Sequence, residues 1–229
     1  MDKEEIKVWV KENKKKFAED FLKNFPNKKD GKSVAFFMAG LPGAGKTEFS
    51  KRFAEFVGTQ NIVRLDMDEI AMHIPGYTPE KADIFRGGAS ELLNRIFDIV
   101  LKRRLNFILD GTFGAKYALD NTRRAKEIGY DVQIFWVKKE PEIAWKFTKE
   151  REKIEHRSIS KEGFVEIFPK ISQNIISAMK KYDKISVVIV EKNAKSGAIR
   201  QVSLKEMIEI DTEESKKYNV QSLLEKING

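Results

Sequence analysis

Two hydrophobic periods run along the chain. In residues 3–24, Ile6, Val10, Phe17 and Phe21 fall near one face of a helix and Lys14, Lys15 and Lys16 lie off it. Pro26 and the polar stretch 27–32 end that pattern. Val34–Ala39 is a continuous apolar run, the signature of a strand buried on both faces. Phe49, Phe53, Phe56 and Val57 are spaced for one face of a second helix, with Gly58 placed to cap it. Ile62–Leu65 predicts a second strand. Thr78-Pro79 reads as an N-cap followed by proline at the first helical position, opening a helix that carries Leu92, Leu93, Ile96, Phe97 and Val100. Asn106–Leu109 predicts a third strand, ending in Asp110-Gly111. A helix follows over 115–128, then a fourth strand at Val132–Val137 and a helix opened by Pro141. A long helix over 161–181 precedes a fifth strand at Ile185–Val190. Beyond it, Asn193–Gly197 reads as a turn and Ile199–Val202 as a short added strand. Ser203 and Glu206 have the spacing of a capping box, and Val220–Ile227 forms a last helix.

Strands alternating with helices of this length imply an α/β fold: a parallel five-stranded sheet with helices on both faces and right-handed crossovers. No internal repeat or interdomain linker interrupts it. The expected organisation is an N-terminal helix (1–32) packed on a core (33–190), with a C-terminal extension (191–229) in the same domain.

Composition narrows the chemistry. The 229 residues are 34% charged, against about 25% in ordinary domains, and 10% aromatic, which excludes disorder. Lys and Arg number 43 against 35 Asp and Glu, a net charge of +8 that points to an anionic partner. Cysteine is absent, which excludes disulfides and thiolate metal sites. The two histidines, His73 and His156, lie far apart and do not suggest a metal centre. No apolar run approaches the roughly 18 residues of a membrane span, and the charged N-terminus lacks a signal-peptide core. The reading is a soluble, cytoplasmic protein with no membrane partner.

The strongest motif is GLPGAGKT, Gly40–Thr47, which fits G-x-x-x-x-G-K-[ST] between a buried strand and an amphipathic helix. Chance predicts roughly 0.01 matches in a chain this long. Gly40, Leu41, Pro42, Gly43, Ala44, Gly45, Lys46, Thr47 and Glu48 are therefore the candidate nucleotide-binding residues. The glycines let backbone N–H groups point at phosphate oxygens, at a helix N-terminus that favours anions. Lys46 would reach the β- and γ-phosphates, and the Thr47 hydroxyl would ligate Mg²⁺. The fold class becomes that of P-loop NTPases, nucleotide-kinase-like, with ATP and Mg²⁺ as cofactors. The Asn27–Asp30 run matches the guanine-reading N-K-x-D, but it precedes the loop and is a coincidence.

Ligand sites in such sheets lie at the carboxyl ends of strands. Asp66 and Asp68 stand at the end of strand two, where an acid could take the proton of an attacking hydroxyl; the alternative is that this acidic run caps the following helix. Asp110 ends an otherwise apolar strand, where a lone carboxylate needs a partner, such as Mg²⁺ through water or a substrate hydroxyl. Thr112 adds a hydroxyl beside it. Arg151 and Arg157 are placed like the lid arginines of a small kinase, which close over the γ-phosphate. Lys149 and Lys153 read as a solvated face.

In order, these segments resemble the zeta-toxin family of P-loop kinases, over about residues 33–190. GLPGAGKT resembles its Walker A loop. LDMDEI with Ile74–Tyr77 resembles its strand-two segment, and the family's catalytic acid falls on Asp68. NFILDGT resembles its strand-three segment, where the second acid and a substrate-contacting threonine fall on Asp110 and Thr112. The family's two phosphate-facing arginines fall on Arg151 and Arg157. The second acid is often Glu in the family; Asp110 is one methylene shorter. The resemblance implies ATP-dependent phosphorylation of a hydroxyl of UDP-N-acetylglucosamine, in a toxin that a small antitoxin protein blocks. Two alternatives stay open: a kinase of another metabolite or of a nucleic-acid end, and a nucleotide-gated regulator with little catalysis. No aromatic-rich basic stripe favours nucleic acid.

Overall fold

The computed structural model describes residues 1–27, 31–155, 159–192 and 197–228. Helix α1 (Lys3–Phe21) opens on a capping box: the Asp2 carboxylate accepts from the Glu5 amide at 2.9 Å, and Glu5 accepts from the Asp2 amide at 2.8 Å. It ends at Phe21, earlier than the pattern suggested, because Leu22 turns inward as its C-cap and is fully buried. Strand β1 (Val34–Ala39) leads through the glycine loop into α2 (Lys46–Val57). Then come β2 (Val63–Asp66), the short α3 (Met67–Ala71) and α4 (Ala82–Lys102). Thr78-Pro79 opens not α4 itself but a single 3₁₀ turn, Pro79–Lys81, in front of it. The chain continues through β3 (Phe107–Asp110), α5 (Lys116–Glu127), β4 (Asp131–Lys138), α6 (Pro141–Glu155) and α7 (Lys161–Lys181). It ends with β5 (Ile185–Lys192), β6 (Gly197–Val202), α8 (Leu204–Lys217) and α9 (Val220–Asn228). The expected turn ahead of β6 falls at 193–196, outside the described residues.

The sheet order is β2-β3-β1-β4-β5-β6. The first five strands are parallel, and β6 returns antiparallel along β5. β1 is paired on one edge with β3 and on the other with β4, and its apolar side chains pack into the core. Phe36 packs on Phe53 of α2 and Phe135 of β4; Phe37 packs on Phe107 of β3 and on Phe113. The chain leaves β1 toward β2 on one side and later crosses to β4 on the other. The loop after β1 therefore sits at the topological switch point, where such sheets bind ligands.

Phe56 departs from its predicted face. It is 87% exposed, because the last turn of α2 runs beyond the apolar cluster that Phe49 and Phe53 join. Elsewhere, α1 crosses α4 closely: a Cβ on Gly88 would lie 2.8 Å from a methyl of Ile6. The C-terminal helices are tied to the start of α6. The Tyr218 hydroxyl donates to Glu140 and Glu142, and Lys217 and Lys226 pair with the same two carboxylates. α8 starts on the anticipated capping box of Ser203 and Glu206.

Candidate active site

The loop 40–45 is held from two sides. The Gly40 amide donates to the Thr112 carbonyl at 3.0 Å, and a Cβ on Gly40 would come within 2.4 Å of the Val137 carbonyl oxygen. A Cβ on Gly43 would lie 2.1 Å from the Ala144 carbonyl oxygen and 2.6 Å from the Thr148 hydroxyl, so α6 sits directly on the loop. Gly43 and Gly45 both have positive φ, 75° and 95°. Gly45 caps α2 without a side-chain acceptor, leaving the first amides of that helix facing an anion site. Lys46 folds back, its ammonium donating to the Leu41 carbonyl at 2.7 Å. Burial pushes its pKa down to about 8; Arg151 adds to the fall, while Asp110, Glu48 and Asp66 oppose it. Lys46 thus feels all four charges from its place in front of the loop.

The floor beneath that point is a buried network. Asp66 and Asp110 are register partners at the ends of β2 and β3. Arg64, one alternation before Asp66, donates to Asp66 Oδ2 at 2.7 Å and to Asp110 Oδ2 at 2.8 Å, and it also bonds Glu69. Its Nε donates to the Ser50 hydroxyl at 2.9 Å, and Ser50 donates to Asp110 Oδ2 at 2.7 Å. Burial works against the Arg64 charge, yet Asp66, Asp110 and Glu69 hold its pKa above the ordinary value. The partner that Asp110 needs is therefore supplied within the chain, through one of its two oxygens, and its side chain is only 4% exposed. Asp66 Oδ1 accepts the Asp68 and Glu69 amides, at 2.9 and 3.4 Å, which makes Asp66 the N-cap of α3. Burial, with Asp110 nearby, raises the Asp66 pKa to about 6, against the pull of Arg64.

Above the floor lies a cleft of about 600 Å³. The loop, Lys46 and Thr47 form its base; Met67, Asp68 and Arg86 one wall; Phe147, Thr148, Arg151 and Ile154 of α6 the other. A recess of about 80 Å³ behind Met67 is lined by Asp110, Gly111, Tyr117 and Asn121 among others. The zeta toxin family matches residues 19–203, most of the chain.

The chain belongs to the zeta toxin family. It is a P-loop kinase-type, nucleotide-dependent phosphotransferase. Among curated proteins none matches the sequence. Solved structures share the fold. The PezAT chromosomal toxin–antitoxin system of Streptococcus pneumoniae is 15% identical with a TM-score of 0.62, covering 91% of this chain and 95% of that one. The AvrRxo1-ORF1:-ORF2 complex is 11% identical with a TM-score of 0.61, covering 92% and 71%. A second structure of that complex, with ATP, is 12% identical at a TM-score of 0.59, covering 90% and 71%.

In this zeta-toxin-family kinase, the structure brings Lys46, Thr47, Asp68 and Arg151 onto one cleft, with Asp66 and Asp110 beneath them. Thr112 lines neither the cleft nor the recess: its carbonyl anchors Gly40, and its hydroxyl accepts the Gly114 amide at 3.3 Å. Arg157 and His156 lie outside the described residues. His73 packs on the ring of Phe17, away from the cleft. Arg64 was missed from sequence, although an arginine alternating with buried Val63 and Leu65 was a signal. Phe147, 47% exposed on the cleft wall, was missed as well. It precedes Arg151 by one helical turn, an i,i+4 relation that the solvated-face reading of this helix left unused.

The residues present fit a magnesium nucleotide. The uncapped α2 amides and the glycine cradle suit phosphates, Thr47 lines the cleft, and the Arg64 and Ser50 bonds fall on a single oxygen of Asp110. Among the described residues no cluster of three His, Asp or Glu forms a protein-only metal cage. Mg²⁺ does not require one, being held largely by phosphate and water.

Proposed function

We propose that the protein transfers the γ-phosphoryl group of ATP to a hydroxyl of a UDP-activated amino sugar, UDP-N-acetylglucosamine. The observation that carries this reading is the convergence of the phosphate loop, an acid and an arginine from three different elements on one cleft. The family resemblance of the Asp68, Asp110 and Arg151 segments supports the acceptor.

In this reading Asp68 accepts the proton of the attacking hydroxyl as its oxygen bonds the γ-phosphorus and the bond to the β–γ bridging oxygen breaks, releasing ADP. Lys46 leaves the Leu41 carbonyl for the β- and γ-phosphates. Arg151, and Arg157 beyond the described residues, take up the charge spread over the transferring group. Thr47, and Asp110 through water, would hold Mg²⁺, which when bound would supply further neutralisation of the phosphates. Arg64 and Ser50 fix the orientation of Asp110 from below. Asp66 keeps Asp68 in place by capping α3.

A toxin role with a small antitoxin as partner belongs to the same proposal. It is supported by the likeness to PezAT, itself a toxin–antitoxin system. Among the described residues no helix is long and apolar enough to cross a membrane, which is compatible with action in the cytoplasm, where ATP is at hand.

The test is incubation with γ-labelled ATP, Mg²⁺ and UDP-N-acetylglucosamine. Label should appear in the sugar nucleotide, and Asp68→Asn should reduce transfer by about 10²–10⁴-fold. Absence of labelled product with ATP binding intact would refute the acceptor; full activity of Asp68→Asn would refute the base.

A further inference from the structure

Beyond Asp110 the chain makes a turn that its sequence does not favour. Phe113 has φ 62°, in the left-handed region that a bulky side chain rarely enters. Gly111 and Gly114 on either side could take that conformation without penalty, yet neither has positive φ. A residue so placed persists only where its surroundings hold it. Two contacts do so here. The ring is 3% exposed and meets Phe37 of β1 edge-on, with centroids 5.9 Å apart. The carbonyl accepts the side-chain amide of Asn174, in the second half of α7, at 2.9 Å. Next to it, a Cβ on Gly114 would lie 2.5 Å from the Ile167 side chain, so the turn is seated on α7.

The effect of the held conformation lies one peptide back. Rotation about the Phe113 N–Cα bond sets the direction of the peptide that joins Thr112 to Phe113. With the ring fixed on Phe37 and the following carbonyl fixed on Asn174, that φ aims the Thr112 carbonyl. It points at Gly40, whose amide it accepts at 3.0 Å. Gly40 is the first residue of the phosphate loop and has φ 138°, a conformation that also depends on its surroundings. Asn174 lines neither the cleft nor the recess, yet it reaches the phosphate loop through two residues of one turn.

We propose that Asn174 is a positioning residue for the nucleotide. By holding the Phe113 carbonyl it keeps the turn left-handed and the Thr112 carbonyl on Gly40, so that the loop is formed before phosphate arrives. This rests on the nucleotide-dependent reading of the loop and not on the sugar acceptor. Without the bond from Asn174, the turn relaxes to an ordinary backbone conformation and Gly40 loses its acceptor. Nucleotide binding must then restore the strained turn, and its affinity falls by that cost.

The test compares the wild type with Asn174→Leu, close in size but without a donor, and with Asn174→Ala, which adds no bulk. All are studied at a temperature where circular dichroism shows them fully folded. Calorimetry reads the affinity for a non-hydrolysable ATP analogue with Mg²⁺, and NMR reads hydrogen exchange of single amides. Both variants should bind the analogue about 5–30-fold more weakly, the equilibrium worth of one left-handed residue other than glycine. The Gly40 amide should exchange about tenfold faster, while the Phe36 and Met38 amides of β1 keep their wild-type rates. Equal acceleration at Gly40, Phe36 and Met38 would overturn the proposal and make Asn174 a prop for overall stability alone. Wild-type affinity in both variants would also overturn it, and the nucleotide site would stand. If the wild type does not bind the analogue, the nucleotide reading itself falls, and the role of Asn174 with it.

Discussion

The floor and the rim of the cleft use the same residue types for opposite work. On the floor, Arg64 is 11% exposed and bonded to Asp66, Asp110, Glu69 and Ser50. On the rim, Arg86, Arg151 and Asp68 line a cavity of about 600 Å³ and come from separate helices. A guanidinium closed in by three carboxylates is an internal counter-ion and holds geometry. One that lines a cleft borders the space a polyphosphate would fill. The contrast implies that floor substitutions should act first on stability, and rim substitutions on turnover or acceptor binding.

The largest effect should come from the rim. Arg151→Ala is expected to lower kcat by about 10³–10⁵-fold, equivalent to about 4–7 kcal/mol, with the melting temperature unchanged. A parallel loss of stability would erase the distinction. Next comes the floor: Arg64→Met removes the shared partner of buried carboxylates and should cost about 3–5 kcal/mol in urea unfolding, whether or not nucleotide is bound. A variant of wild-type stability would mean that the network is dispensable.

Lys46 spans both regions, and pH separates its two states. Its ammonium is charged below about 8 and loses its proton as pH rises through that value. ATP affinity should therefore be constant on the acid side and fall by up to about tenfold per pH unit above it. Titrating ATP between pH 6 and 10 checks this; affinity level to pH 10 would show that the lysine stays protonated. The smallest change is expected away from both regions. Phe56→Ser, on an 87% exposed side chain, should shift unfolding by less than about 0.5 kcal/mol and leave catalysis alone.

Much of this architecture was legible in one dimension. Val34–Ala39 and the helix over 161–181 appear with the boundaries their patterns suggested, because an uninterrupted apolar run and a sustained 3.6-residue period each admit one structure. The glycine loop was readable because its chemistry is local. What escaped is tertiary. That Asp110 needs a partner could be argued from its burial, but that the partner is Arg64 depends on β2 lying beside β3, a neighbour relation no local pattern records. Phe56 failed for a related reason: periodicity assigns a face but not how far the sheet beneath it extends. The place of Arg86 also depends on packing, since α4 had to stand opposite α6 before its wall could be seen.

The seating of Gly43 against α6 has a mechanical consequence. With the loop wedged on Ala144 and Thr148, and Glu140 latched to Tyr218, the first half of that helix is bolted to the nucleotide cradle. Any stroke that brings Arg151 onto the phosphate must pivot beyond Thr148, about 4.5 Å of helix axis away. So short a lever makes the reach of the arginine a matter of its own rotamers, and ties its aim to the cradle it serves.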